Sequence, residues 1–156
     1  MIQMPENVSP RDNVALRIDS LKVRLLKLEE TVSFLRQLVP TNISALKENA
    51  RDMMAVERGL QLGAESIIAI GSHILSAHYG TSAADYEDIM KQLTLRGVVS
   101  AKLRDRLTGL GGFRNLLVHG YTQLDPERVL DRLMKAPRDS DDFMREIRAW
   151  LDALPQ

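Results

Sequence analysis

The sequence predicts an all-α protein, an up-and-down antiparallel bundle of four to five helices, one of them short. Three observations predict it. Apolar residues recur at steps of three and four over long stretches, the spacing of a helix face. No segment alternates with period two over a useful length. Only 6 Pro and 9 Gly punctuate 156 residues, too few for a loop-rich sandwich. The composition, 44% hydrophobic and 27% charged, is that of a chain with a real core. No internal repeat or linker-like stretch divides it, so residues 1–156 read as a single domain.

The first helix opens at Ser9-Pro10-Arg11-Asp12, with Ser9 as cap and Pro10 in the first turn. Val14, Ile18, Leu21, Leu25, Leu28, Val32, Leu35 and Val39 then form an apolar seam, which Leu26, Phe34 and Leu38 are expected to widen and Pro40 to stop. A second long helix is expected from about Asn42, a cap, to His78, with Gly80 as terminator. Leu46, Met53, Val56, Leu60, Ile67, Ile70 and Ile74 are its buried stripe, and Gly59, Gly63 and Gly71 predict a close helix neighbour. Ser82 with Asp85 offers a capping box for a short helix to about Leu93. A fourth helix is expected from about Val98 to His119, ended by Gly120. Asp125-Pro126-Glu127 starts a fifth, which Pro137 should stop. A last amphipathic piece, about Asp139 to Leu154, carries Phe143, Ile147, Trp150 and Leu151.

Several function classes lack their parts. With no Cys there are no disulfides, zinc fingers or Cys nucleophiles. Gly109-Leu110-Gly111-Gly112-Phe113 lacks the Lys-Ser/Thr of a phosphate-cradling loop. His73 and His78 stand five apart, where a metal pair on one helix face prefers four, so both read as structural or surface residues and no metal or other cofactor is expected. Asp141-Asp142 and Glu29-Glu30 read as solvated faces or first-turn acids. Lys plus Arg equals Asp plus Glu at 21 each, so no broad basic surface is implied; Lys22-Arg24-Lys27 and Arg104-Arg106 are local candidates. The N-terminus has no basic cluster followed by an apolar run, and no stretch approaches the roughly 20 apolar residues of a membrane span. A cytoplasmic protein is the expectation.

The fourth helix carries the chemistry. With Leu103 as reference and about 100° per residue, Leu107, Leu110 and Leu117 fall within about 40° of it. Arg114 falls at about 20°, inside that stripe, where a guanidinium must be paired or face a wet cleft. Gly111-Gly112 could kink the helix and reset this phase. Asn115 and His119 are four apart and share a face, so the Asn amide can orient the ring. Tyr121 adds a hydroxyl just past Gly120. By spacing alone, these residues better suit a satisfied core Arg, a surface His and a packed Tyr than a catalytic set.

The run Gly112-Phe113-Arg114-Asn115-Leu116-Leu117-Val118-His119-Gly120-Tyr121 resembles the signature of the HEPN superfamily in its HepT-like toxin branch: Arg, a polar residue, a spacer, His, one residue, Tyr. Ala55-Val56-Glu57-Arg58-Gly59-Leu60-Gln61, Tyr86 and Asp125 are similar to the same branch, so the likeness spans about residues 14 to 151. The resemblance implies a HEPN-like fold and a metal-independent endoribonuclease acting as a homodimer, the motifs of both protomers meeting in one cleft. Arg114 and His119 would be catalytic, Asn115 orienting, and RNA the substrate. It further implies a toxin–antitoxin module whose cognate nucleotidyltransferase attaches adenylate to Tyr121. Leu116 and Phe113, off the core stripe, are expected near the partner protomer. The alternative is a non-catalytic helical partner or regulatory module of a nucleotidyltransferase, which zero net charge and few aromatics favour.

Overall fold

A computed structural model describes residues 10–39, 42–120 and 124–155. Ser9, Pro40, Tyr121 and the side chain of Val14 lie outside the described residues. Those described form seven helices and no strand: α1 (Pro10–Leu38), α2 (Ile43–Glu48), α3 (Ala50–Tyr79), α4 (Tyr86–Leu95), α5 (Ala101–Arg106), α6 (Leu110–His119) and α7 (Pro126–Asp152). The long helices are those expected, but four expected boundaries differ.

The helix expected over 42–78 is broken at Asn49. Its backbone is extended and its side chain accepts from the Asp52 N–H, so it caps α3 instead of continuing α2. Asn competes for local backbone donors, which is why it favours caps over helix interiors. Asn42 caps α2 and Gly80 ends α3 at φ 64°, both as expected. Asp85, not Ser82, caps α4, accepting from the Asp88 N–H at 2.8 Å. The helix expected from Val98 to His119 is two: α5, capped by Ser100, and α6, separated by a turn through Gly109 at φ 84°.

Pro137 does not stop the fifth helix; α7 runs through it to Asp152. An internal proline costs on the order of 3 kcal/mol, through the missing N–H and the clash with the carbonyl four residues back. On one side of it Val129, Leu130 and Leu133 are buried, and on the other Phe143, Met144 and Ile147. Each buried side chain contributes about 1.5–3 kcal/mol, so packing on both flanks outweighs the local penalty.

The seam of α1 is buried at Leu21, Leu25, Leu28, Val32 and Leu35, while Leu26 and Phe34 are exposed and do not widen it. Leu35 meets α3 at Gly59 and Thr31 meets it at Gly63, so α1 and α3 run antiparallel. A Cβ on Gly59 would lie 2.6 Å from Leu35 Cδ2, and one on Gly71 would lie 2.7 Å from Ile89 Cγ2 of α4, so two of the three helical glycines do mark close neighbours. Ion pairs of Arg36 with Asp141 and Glu29 with Arg148 give the antiparallel register of α1 and α7. Asp141 and Asp142 are thus not first-turn acids: they lie inside α7, and Asp142 pairs with Arg106 and Arg145. Arg106 also reaches Asp139, 3.2 Å away, so one arginine of the expected Arg104-Arg106 cluster is tied up by acids of α7.

Antiparallel contacts with α1 make α3 and α7 parallel to each other, and the α4–α6 segment carries the chain between them. The buried side chains form two clusters, one around Leu28, Ile70, Leu93 and Phe143, the other around Leu35, Val56, Phe113 and Leu133.

Candidate active site

Helix α6 carries the Arg-Asn-x3-His run, and three contacts with other elements fix its start. Gly109 turns the chain in the left-handed region, and its N–H donates to Glu87 Oε1 of α4 at 2.9 Å. Gly111 lies so close to Tyr86 that a Cβ there would meet the Tyr86 Cβ at 2.5 Å. Phe113 is fully buried in the second cluster, with the Arg132 guanidinium 5.2 Å from its ring centroid. The expectation that Phe113 faces a partner protomer is therefore incorrect: the break at Gly109 resets the helical phase and turns this ring inward. Leu116 and Val118 are the exposed apolar residues of α6.

The same phase change moves Arg114 from the middle of an apolar stripe to its edge. Its side chain is 36% exposed, with Nε 3.5 Å from Glu65 Oε1 of α3. Nη1 donates to Asn115 Oδ1 at 3.0 Å. The guanidinium is thus paired, as a partly buried cation requires. Arg114 and Asn115 open onto a shallow cleft also lined by Ile68, Tyr86, Glu87 and Gly112. His119, the last residue of α6, is exposed and does not line that cleft. Gly120 follows at φ 53°, its N–H donating to the Leu116 carbonyl at 3.2 Å. Arg114 and His119 are five residues apart, hence about 140° apart around α6. One protomer therefore presents the two side chains in different directions.

Glu65 has no signal in the sequence, because 49 positions separate it from Arg114 and only the packing of α6 on α3 joins them. Among the described residues no three His, Asp or Glu side chains are grouped so as to hold a metal ion. His78 packs edge-on against Trp150, with ring centroids 5.1 Å apart. No helix among the described residues is long and apolar enough to cross a membrane.

The bundle, and a short helix presenting Arg114, Asn115 and His119, define a protein of the HEPN class. The family model described as ribonuclease HepT-like matches residues 28–147, and the chain belongs to that family. The tRNA nuclease HepT of Aphanizomenon flos-aquae (strain 2012/KM1/D3) is 25% identical over 137 residues, which cover 87% of this chain and 92% of that protein. YutE of Bacillus subtilis (strain 168) is 30% identical over 128 residues, covering 81% and 88%. Among solved structures, a toxin–antitoxin complex with AMP-PNP superposes with a TM-score of 0.76 at 21% identity, covering 84% of this chain and 98% of that one. A tri-AMPylated Shewanella oneidensis HEPN toxin in complex with MNT antitoxin gives 0.74 at 22% identity, covering 83% and 96%.

Proposed function

We propose that this protein is the toxin of a toxin–antitoxin module, a metal-independent endoribonuclease whose active cleft forms between two protomers. The observation that carries the reading is the divergence of Arg114 and His119 on α6. A two-fold axis along an α6–α6 contact brings one protomer's His119 toward the other's Arg114, which a single helix cannot do. In that cleft a neutral His119 imidazole takes the proton from a ribose 2′-hydroxyl. The 2′ oxygen bonds to phosphorus and the bond from phosphorus to the 5′ oxygen breaks. That oxygen leaves as a hydroxyl with a proton from the second imidazole, and a 2′,3′-cyclic phosphate remains. Arg114 binds the phosphate and stabilises the charge added in the transition state. Asn115, which accepts from Arg114, orients the guanidinium in the protomer described.

The relative named as a tRNA nuclease supports an RNA substrate, and the superposable complexes support a nucleotidyltransferase antitoxin partner. The tri-AMPylated neighbour supports AMPylation of the toxin by such a partner, and Tyr121, the tyrosine of the motif, is the residue to which we assign it. Adenylate there, two residues past His119 in the chain, adds bulk and negative charge that oppose RNA phosphate. The test is cleavage of tRNA by the purified protein. Arg114→Ala and His119→Ala should each abolish it while the helical circular dichroism is retained, and the wild type should cleave in EDTA. Intact RNA with the wild type would leave the non-catalytic partner of a nucleotidyltransferase as the function; EDTA inhibition would make the mechanism metal-dependent.

A further inference from the structure

We infer that Glu65, on α3, is a positioning residue for the Arg114 guanidinium. This rests on the ribonuclease reading above and deepens it. Four side chains join end to end across the α3–α6 contact. Gln61 Nε2 donates to Glu65 Oε1 at 3.1 Å, one turn away on the same helix. The same Glu65 oxygen lies 3.5 Å from Arg114 Nε, and Arg114 Nη1 donates to Asn115 Oδ1 at 3.0 Å. Gln61 holds Glu65, Glu65 addresses the guanidinium from its Nε side, and Asn115 engages it at Nη1.

Geometry explains why a second holder is required. Arg has a long, rotamer-rich side chain, and ordering it by one contact leaves the plane of the fork undefined. Asn115 is adjacent in sequence on the same helix, so it cannot fix Arg114 relative to the rest of the fold. Glu65 can, because α3 is anchored through Leu60, Ala64 and Ile67 in the two buried clusters and their surroundings. Arg114 Nε is buried and makes no hydrogen bond, so Glu65, 3.5 Å away, is the charge that faces this side of the fork, while Arg114 also lines the cleft. A carboxylate here opposes phosphate binding by charge. Its contribution is therefore to orientation in the transition state rather than to RNA affinity, and the two are separable.

The experiment uses the full chain with Glu65→Gln and Glu65→Asp, each alone and combined with Arg114→Ala, on tRNA under single-turnover and steady-state conditions. Glu65→Gln should lower kcat by about tenfold or more and leave KM unchanged or lower, since a repelling charge is lost. Glu65→Asp should recover part of kcat. In the Arg114→Ala background, already without cleavage, neither change should restore any, because the group being positioned is gone. An independent readout is the Nε–H signal of Arg114 in the nitrogen–proton NMR spectrum, assigned by its absence in Arg114→Ala; it should shift on Glu65→Gln. An unmoved signal overturns the inference whether or not the wild type cleaves RNA. Unchanged kcat in a cleaving Glu65→Gln protein also overturns it, as does a kcat loss matched by a parallel fall in melting temperature. A wild type that leaves tRNA intact while the signal shifts supports the contact and refutes the ribonuclease reading instead.

Discussion

The Tyr86 hydroxyl donates to the Leu107 carbonyl at 2.8 Å, joining the first turn of α4 to the end of α5. The ring of the same Tyr86 packs against Gly111 at the start of α6. One side chain thus ties three helices together at the point where the motif helix begins.

Burial pushes the Tyr86 phenol well above its ordinary range near 10; neighbouring Glu87 adds to the rise and Arg132 opposes it. The folded state holds this proton where the unfolded chain releases it. The corresponding stability is fully present below about pH 10 and is lost as pH rises beyond it. Denaturant unfolding between neutral and strongly alkaline pH should show that loss, and Tyr86→Phe should flatten it. At neutral pH the same change should cost about 1 kcal/mol through the lost hydrogen bond.

Adjacent glycines of α6 should respond in opposite ways. Gly111→Ala places a Cβ 2.5 Å from the Cβ of Tyr86, an atom that cannot swing aside. It should destabilise by about 1–3 kcal/mol, the range for overpacking. Gly112→Ala meets nothing within 4 Å and should stabilise by up to about 1 kcal/mol through helix propensity. Urea titrations of both variants check the contrast.

The proposed two-fold cleft would place the exposed apolar residues of α6, Leu116 and Val118, at the dimer contact. Leu116→Glu combined with Val118→Glu should convert a dimer to a monomer in light scattering at micromolar concentration, with helical content retained. A wild type that runs as a monomer, or a double variant that stays dimeric, counts against the composite site.

Tyr121→Phe should keep most of the RNA cleavage, because the proposed proton transfer does not pass through its hydroxyl. Incubation of the wild type with a cognate nucleotidyltransferase and ATP should raise its mass by one or more adenylate units and silence it. Tyr121→Phe should gain no mass and stay active. A wild type of unchanged mass, with a Tyr121→Phe protein of lowered melting temperature, would assign the tyrosine to packing.

The long helices were legible because their apolar spacing is sustained: Leu21 to Leu35 and Val56 to Ile74 read as buried stripes and are buried. The boundaries were less legible where one residue type suits two structures. Asn49 can sit in a helix or cap one, and here its side chain takes the Asp52 N–H and caps. Pro137 carries a strong local stop signal, which burial on both of its flanks overrides. At the candidate site the residue types were readable, but the direction they face was not. A wheel drawn from Leu103 runs through Gly109, where the chain turns, so it placed Arg114 too deep and Phe113 too far out. Glu65 could not be found at all, since its relation to Arg114 exists only in three dimensions.

The two ends of α6 are held very unequally. Its first turn is bound to Glu87, Tyr86 and the buried cluster around Phe113, whereas Leu116, Val118 and His119 of its last turn are exposed. Local opening follows burial, so a gradient of protection should run along ten residues, from the buried turn at Phe113 to the exposed turn at Leu116 and Val118. Amide hydrogen exchange should therefore be slow near Phe113 and Arg114 and fast near Val118 and His119 in an isolated protomer. Whatever docks on that final turn would bear the entropy of ordering it. The half of the motif assigned to proton transfer would then be armed by assembly, and dilution alone would disarm it.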